Sequence, residues 1–483
     1  MQIVSNKDYR VYWLLGVLNI SFAIIYIYFT LKPSIFIWDE ASYGLNSIEM
    51  SRSNNLLTPT IDYIPSTENT KPTLVLALQA LSIKIFGINE LAIRLPTILF
   101  SLLLIVLLFY YLAKFKVNII AITITNIIFI SSGFYSHHIA FTGDLDAIFS
   151  FFTTFMGLYF YYLFFYKEKV TNKEFLILYI LSLLAFFSKS FATFLIIMPL
   201  LLFLVLFKIN LYSKYFKQFI VVSLLFIVVI FTYYQLREIS NTGNLNRVFT
   251  TEISRYFKNV MPWHQQPFLF YIKNLFINRL YPWLYFLPIL IYFFVIKLKN
   301  KENFFFIFSC FISFFFLLFI SIPKVKLEWY DAPVFPWLCI ALGYSLYFVI
   351  ESFKSYIPIV YLTFFCIATF AIKLQYNKFE KIINTDNLET NGTILNKNST
   401  LFPNTKKYKV LMNVDYPSHY DQLKFYIAKL YFEKNITTTI ITNINQINVG
   451  DTVITNQINK SNISNKNYKI INSYLNGYTF TTN

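Results

Sequence analysis

Long apolar runs, separated by short basic loops, fill most of the 483-residue chain. A helix rises about 1.5 Å per residue, so roughly 20 apolar residues cross a hydrocarbon core of about 30 Å. Runs near that length recur as far as residue 375 and predict an all-α polytopic domain of about 11 to 13 transmembrane helices. The predicted spans are 11–31, 92–113, 118–135, 146–166, 174–188, 191–207, 218–236, 282–297, 303–322, 333–350 and 356–374. The stretch 72–86 is either an interfacial helix or a further span.

Near residue 375 the pattern changes to a tail rich in Asn, Thr, Lys and Tyr. Apolar residues alternate with polar ones in short runs there, around one amphipathic helix. The predicted strands are 408–413, 437–442, 452–455, 468–473 and 478–481, and the predicted helix is 420–433. We therefore expect a transmembrane domain over 1–374 and a small soluble α/β domain over 375–483.

Composition and charge agree with this division. Hydrophobic residues make up 56% of the chain and charged residues only 13%, and the formal net charge is +17. Basic residues recur in alternate short loops, as expected for loops retained on the cytoplasmic side. These are Lys7 and Arg10, Lys114 and Lys116, Lys167, Lys169 and Lys173, Lys208, Lys214 and Lys217, Lys297, Lys299 and Lys301, and Lys354.

This arrangement predicts a cytoplasmic N-terminus and an extracytoplasmic tail, with long outer loops at about 32–91 and 237–281. Because membrane topology explains most of the positive charge, we expect no nucleic-acid partner. Cys310, Cys339 and Cys366 each stand alone in apolar sequence, which indicates small buried side chains and not a metal or redox site.

Ionisable residues concentrate at the predicted outer ends of spans, where their cost in a membrane marks candidate chemistry. Asp39 and Glu40 follow the first span; a solvated helix start is the alternative to a functional pair. Lys71 either anchors to headgroups or holds a phosphate as a point charge. Arg94 has the same two interpretations, and we favour a helix-end anchor.

A second polar group, Ser136 to Ala147, precedes the fourth span. His137 and His138 stand near Asp144 and Asp146, a combination that could bind a divalent metal. The spacing matches no specific zinc motif, so we favour a cluster that helps position an active-site acid.

Taken together and in order, these motifs resemble the GT-C superfamily, and within it the branch of bacterial lipid A aminoarabinose transferases and protein O-mannosyltransferases. The resemblance spans roughly residues 8–345. It rests on Asp39-Glu40, Lys71-Pro72, Asn89 to Pro96, Asp146, Ser188-Lys189-Ser190, Arg255-Tyr256, His264, Pro267, Tyr271, Pro282-Trp283, and Lys326 to Pro333. The sequence departs from the family pattern at Thr73, Ser190 and Glu328, which leaves the exact substrate open.

The resemblance implies a bacterial inner-membrane enzyme that moves a sugar, with inversion, from a polyprenyl-phosphate donor to an acceptor on the extracytoplasmic face. The acceptor would be lipid A, a protein or a cell-surface glycan. It also implies Asp39 as general base, Glu40 shaping the same site and Asp146 as a second acid. Lys71, Arg255 and Tyr330 would contact the carrier phosphate, with Lys189, Lys326 and His264 as further candidates. No metal is demanded, although one could bind.

Three alternatives stay open at this point. A transporter or flippase of lipid-linked saccharides also needs many helices and basic cavity residues. However, such proteins usually place charges near the bilayer midplane and show internal repeats. A surface polysaccharide polymerase or ligase would share the carrier lipid without this pairing of Asp-Glu and Lys-Pro. An inactive scaffold is the third.

Overall fold

The architecture is a helical bundle joined to a small α/β unit. The structure is a computed structural model, and it describes residues 6–66, 69–167, 169–254, 262–300, 303–353, 357–385, 390–412, 418–455, 468–474 and 477–482. Its helices are α1 (Asn6–Leu31), α2 (Asp39–Ser53), α3 (Leu74–Phe86), α4 (Glu90–Lys114), α5 (Ile119–Ile130), α6 (Asp146–Tyr161), α7 (Asn172–Lys189), α8 (Phe194–Lys214), α9 (Phe216–Ser240), α10 (Asn244–Val248), α11 (Phe270–Asn274), α12 (Leu287–Asn300), α13 (Phe304–Ser321), α14 (Phe335–Ser352), α15 (Ile357–Thr385), α16 (Asn391–Leu401) and α17 (Ser418–Lys434).

Within the described residues, nine helical runs are long and apolar enough to cross a membrane. One of them is the 43-residue run Asn172–Lys214. Ser190, with a left-handed φ of 61°, divides this run into α7 and α8. Two shorter apolar helices, α3 and α5, add to the bundle. The predicted polytopic helical domain is therefore confirmed, and every predicted span overlaps a helix.

The predicted outer loops contain more regular structure than their sequences indicate. Between α1 and α4 lie α2, a short hairpin of β1 (Thr60–Ile61) and β2 (Ile64–Pro65), and α3. With 13 residues, α3 is shorter than the roughly 20 residues of a typical span. It packs against α2 and α4.

The C-terminal unit confirms the predicted α/β pattern. Its strands are β3 (Lys407–Leu411), β4 (Thr437–Ile441), β5 (Thr452–Thr455), β6 (Tyr468–Tyr474) and β7 (Gly477–Thr482), in the order β4-β3-β5-β7-β6. β3 pairs in parallel with β4 and β5, whereas β7 runs antiparallel to β5 and β6. α15 continues ten residues past the position at which the composition changes, so this unit begins at α16.

At one end of the bundle lie Asp39, Lys71, Asp146, Lys189 and Tyr330, and we call it the site end. Successive helices bring Asp39, Arg94, Asp146, Lys189 and Arg237 to this end, where ion pairs and hydrogen bonds join them to neighbouring segments. α17 of the C-terminal unit packs on α2 at the same end. Among the described basic residues, Lys114 and Lys214 lie in the last turns of α4 and α8, at the opposite end of the bundle.

Candidate active site

Asp39 is the first residue of α2, and it follows a residue with strained backbone geometry. Trp38 has a left-handed φ of 72°, which turns the chain sharply into the helix. Asp39 interacts electrostatically with four nearby residues, Asp144, His138, Asp146 and Lys189. Burial, and then the neighbouring Asp144 carboxylate, raise the pKa of Asp39 from 3.8 to about 6. At neutral pH this carboxylate is mostly ionised and basic enough to accept a proton.

The neighbouring Glu40 is used entirely for structure. Its carboxylate accepts hydrogen bonds from Arg94 Nε at 2.6 Å and Nη2 at 2.7 Å, and from the backbone N–H groups of Phe36 and Gly143, both at 2.8 Å. Both side chains of the ion pair are buried. Arg94 is thus not a headgroup anchor, and the favoured interpretation of this residue was wrong.

Arg94 also fixes the segment that leads to Asp39. Its Nη1 donates to the carbonyl oxygens of Thr30 and Pro33, both at 2.8 Å, and its Nη2 donates to that of Ser34 at 2.7 Å. All five guanidinium N–H groups thereby find acceptors, as a buried arginine requires. The Glu40–Arg94 pair ties the end of α1, the start of α2 and the loop at Gly143 into one unit.

Gly143 fits between two helices where no side chain would fit. A Cβ atom there would lie 2.6 Å from Ile93 Cγ2 and 3.0 Å from Gln79 Nε2. The Gly143 carbonyl accepts a hydrogen bond of 2.6 Å from Gln79, while its N–H binds Glu40. The loop that carries Asp144 is therefore fixed on both sides.

Asp144 and His138 form an ion pair beside Asp39. His138 Nδ1 lies 3.1 Å from Asp144 Oδ2, and the Thr142 hydroxyl donates to the same oxygen at 2.5 Å. Burial alone would raise the pKa of Asp144, but the charge and hydrogen bond of His138 outweigh burial and lower it. Burial likewise disfavours charged His138, yet Asp144 raises the pKa of this imidazole. The His138 ring stacks on Trp329, with 4.0 Å between centroids.

Asp146 opens α6 and pairs with Lys189 at the bend between α7 and α8. Both side chains are buried, and the Lys189 ammonium lies 4.8 Å from the centroid of the Tyr330 ring. Asp146 is also close enough to Lys71 and Asp144 to interact with their charges. Two widely separated sequence motifs therefore meet at this pair.

Lys71 faces an acidic residue that the sequence did not single out. Its ammonium lies 2.5 Å from a carboxylate oxygen of Glu252, and the Thr70 hydroxyl donates to the other oxygen at 2.8 Å. Glu252 lies just after α10, and its side chain is almost fully buried. The pair leaves Lys71 about one-sixth exposed, at the surface of a cavity.

Arg237, in the last turn of α9, holds the backbone at Lys71. It donates to the carbonyl oxygens of Asn69 at 2.8 Å, Thr70 at 3.4 Å and Lys71 at 2.9 Å. Its side chain is fully buried. Three successive carbonyls converge on one guanidinium, so the position of Lys71 depends on Arg237.

Lys71 and Lys189 line the same cavity. It is lined by the polar residues Lys71, Lys189, Glu252 and Tyr330, and by apolar residues of α6, α8 and α13. Asp146 adjoins it through Lys189, and Asp39 lies within electrostatic reach of that pair. The site thus combines a carboxylate of raised pKa with two lysines and a tyrosine hydroxyl.

The chain is similar to known proteins in part of its sequence and in its overall fold. Residues 70–234 match the family model described as dolichyl-phosphate-mannose-protein mannosyltransferase. ArnT from Cupriavidus metallidurans, solved bound to undecaprenyl phosphate, superposes with a TM-score of 0.67 at 14% identity, over 96% of this chain and 97% of that one. The chain therefore has the GT-C fold. This confirms the resemblance inferred from the sequence motifs.

A more distant GT-C structure gives the same result. The oligosaccharyltransferase of Archaeoglobus fulgidus, solved with a tethered acceptor peptide, has a TM-score of 0.52 at 13% identity, over 91% of this chain and 65% of that one. No curated protein sequence matches the chain. The likeness to these structures therefore establishes the fold, and substrates have to be argued from the site.

Three side chains of this site could hold a metal ion. Ligand atoms of Asp39, His138 and Asp144 lie within 4.8 Å of one another. Two carboxylates and an imidazole suit a borderline divalent cation such as Zn²⁺ or Mn²⁺. Such an ion would replace the direct contact between His138 and Asp144.

Two other residues predicted to bind the donor phosphate, Lys326 and His264, are not among the residues that line the cavity. Lys326 Nζ donates to the carbonyl oxygens of Gln266 at 3.0 Å and Pro323 at 2.5 Å, and burial lowers its pKa. The His264 carbonyl accepts the Lys326 backbone N–H at 3.0 Å. These contacts join the second long loop to the segment before α14. Arg255 lies outside the described residues.

Sequence reasoning passed over several residues of the site, including Glu252 and Arg237. Arg237 ends an apolar helix, and an ionisable residue at such a position is a signal that the sequence offered. Glu252 lies in a π-helical turn, Phe249–Ile253, within the predicted outer loop 237–281, and no local sequence pattern indicates that it meets Lys71. Asp331 is a third case, since it is buried in an ion pair with Arg279, 3.0 Å apart, directly after Tyr330.

Proposed function

We propose that this protein transfers a sugar from a polyprenyl-phosphate carrier of the undecaprenyl type to an acceptor on the extracytoplasmic face of a bacterial inner membrane. The observation that carries the proposal is that a basic carboxylate and a group of cations lie close together at one end of the bundle. Asp39 supplies a base, and Lys71, Lys189 and Tyr330 line a cavity next to it.

The chemistry follows from that arrangement. Asp39 takes the proton from an acceptor hydroxyl, whose oxygen attacks the anomeric carbon from the face opposite the phosphate. The bond between that carbon and the phosphate oxygen breaks, and the sugar is inverted. The departing polyprenyl phosphate gains negative charge, which Lys71 and Lys189 stabilise, with Tyr330 as a hydrogen-bond donor.

An apolar cavity supports a lipid-linked donor. It encloses about 570 Å³ and is lined by residues of α8 and α11–α14, almost all of them hydrophobic. α13 contributes to both cavities, through Phe316 and Ile320 on the polar one and Phe315 and Leu317 on the apolar one. A carrier phosphate at Lys71 can therefore have its isoprenoid chain beside the same helix. The superposed ArnT was solved with such a lipid.

The basic loops at the end opposite the site support an extracytoplasmic site. Lys114, Lys208 and Lys297 all lie at or near helix ends away from Asp39, and cytoplasmic loops are enriched in such residues. Labelling of single cysteines in intact cells tests this: a cysteine at exposed Trp38 should react with an impermeant reagent, and one at Lys114 should not.

A reconstitution assay tests the function. Purified protein in vesicles is given a radiolabelled undecaprenyl-phosphate sugar with a mixture of surface lipids and glycans. Release of undecaprenyl phosphate together with a labelled acceptor supports a transferase. Movement of intact donor across the vesicle membrane without cleavage would instead establish a flippase. If neither transfer nor movement occurs, the protein is a scaffold. Joining of whole oligosaccharides would indicate a polymerase or ligase.

Surface analysis then identifies the acceptor. Mass spectrometry of lipid A, glycoproteins and glycans from a deletion strain should show the loss of one sugar from one of these classes. We further propose that the core reaction proceeds without a divalent ion. Transfer should then survive a strong chelator, whereas loss of activity that Mn²⁺ or Zn²⁺ restores would place an ion on Asp39, His138 and Asp144.

A further inference from the structure

The C-terminal unit touches the segment that presents Asp39, and it does so through buried hydrogen bonds. Ile35 lies between α1 and α2 and is fully buried. Its backbone N–H donates to the Tyr426 hydroxyl at 3.0 Å, and its carbonyl accepts a hydrogen bond from Gln422. Both partners belong to α17. The C-terminal unit therefore satisfies both backbone groups of a residue four positions before Asp39.

These two side chains are themselves held in place. The Tyr426 hydroxyl donates to Glu90 at 2.9 Å, and Lys429 pairs with the same carboxylate at 2.8 Å. The Thr390 hydroxyl donates to the Gln422 side-chain oxygen. Gln422 and Tyr426 are therefore donor and acceptor with fixed orientations, which makes their contact with Ile35 specific.

Apolar packing brings the same helix onto α2. The Phe425 ring covers Gly44, where an added Cβ would lie 3.2 Å from it. Phe425 and Tyr426 share a buried cluster with Ile35, Ala41 and Ile48. The segment from residue 33 to Asp39 is thus held by Arg94 and Glu40 on one side and by α17 on the other.

We propose that α17 of the C-terminal unit is a positioning element of the active site, in which Tyr426 and Gln422 fix the Ile35 backbone and through it the direction of Asp39. This inference rests on the proposed function, because it concerns the alignment of the base. Small displacements of a catalytic group have large effects on rate, of the order of 100-fold for about 1 Å. The unit thereby contributes to catalysis through the position of Asp39.

Two conservative variants test the contact with Ile35. Tyr426→Phe removes the hydroxyl and keeps the ring, while Gln422→Glu keeps the acceptor for Thr390 and removes the donor. Each should lower kcat by about tenfold, with donor KM within about twofold of wild type, because Lys71 lies on the other side of the site. Tyr431→Phe is the matched control, since Tyr431 lies on the same helix and is 52% exposed.

Hydrogen exchange provides a readout independent of catalysis. In the Tyr426→Phe variant, the peptide covering 33–38 should exchange faster, whereas the peptide covering 69–73 should not change. Wild-type exchange at 33–38 in both variants would overturn the inference, even if the protein proved not to be a transferase. In an active protein, a rise in donor KM equal to the fall in kcat, or unchanged kcat, would overturn it too. Absence of transfer by wild type would count against the proposed function alone.

Discussion

The acidic and cationic sides of this site are built differently. On the acidic side, the Glu40–Arg94 pair and Gly143 use all their polar groups within the protein. On the cationic side, Lys71 is paired with Glu252, a carboxylate that a phosphate would have to replace or share. The segment that carries Asp39 is thus fixed within the protein, whereas Lys71 would have to exchange Glu252 for the phosphate of the proposed donor.

The largest effect should come from the base itself. Asp39→Asn keeps the size of the side chain and removes its basicity, so kcat should fall about 1,000-fold while donor binding changes little. Single-turnover transfer with labelled donor measures the step. Asp451→Asn, in the C-terminal unit, serves as control. Near-normal turnover of the Asp39 variant would show that the base lies elsewhere.

The next effect concerns the support of Lys71. A lysine at position 237 cannot reach three carbonyls in the way a planar guanidinium does, so Arg237→Lys should raise donor KM about tenfold. Arg52→Lys, a stacked arginine on α2, is the matched change outside the cavity. Thermal unfolding should be followed in parallel. A loss of stability without a change in donor KM would mean that Arg237 supports only the fold.

A smaller effect of opposite sign is expected at Glu252. Glu252→Gln removes the negative charge that competes with phosphate for Lys71, so undecaprenyl phosphate should inhibit about twofold to fivefold more strongly. Glu238→Gln is the control, because Glu238 is a partly exposed acid that accepts hydrogen bonds from the backbone N–H groups of Gly243 and Leu245. Weaker inhibition in the Glu252 variant would show that Glu252 helps to bind the donor.

The last prediction concerns pH dependence and involves no change at neutral pH. With a pKa of about 6, Asp39 is ionised above that value and protonated below it. Its base function should therefore be lost as the pH falls through 6, with kcat/KM decreasing about tenfold per unit at lower pH. The residual kcat/KM of the Asp39→Asn variant should not show this decrease below pH 6. A fall of kcat/KM that begins only near pH 4 would mean that the Asp39 carboxylate of the free protein is more solvated than this burial implies.

Much of the fold could be predicted because apolar periodicity reports directly on burial in lipid or in a sheet. The strand β5 was predicted at its observed limits, Thr452–Thr455. α16 was missed because Asn- and Thr-rich sequence has low helix propensity. The side chain of Thr390 caps its first turn, and the helix packs against α17.

The site was predictable where a residue acts by its own chemistry and position. Asp39, Lys71, Asp146, Lys189 and Tyr330 were selected from the sequence, and the structure brings them to one end of the bundle. Their roles stay predictions. Arg94 was misinterpreted because its partner, Glu40, lies 54 positions earlier, a separation that no local pattern conveys. Ion pairs across such distances depend on packing, and only coordinates reveal them.

The lack of space at Gly143 limits how this protein can acquire a new substrate. Any larger residue would displace Ile93 or Gln79. It would thereby disturb the hydrogen bond between Gln79 and residue 143 that holds the loop of Asp144. Substitution of Gly143 by a residue with a larger side chain is therefore not a route by which the specificity of this site can change. A change in what this site binds would therefore have to come from other positions, such as Val325, which lines the cavity.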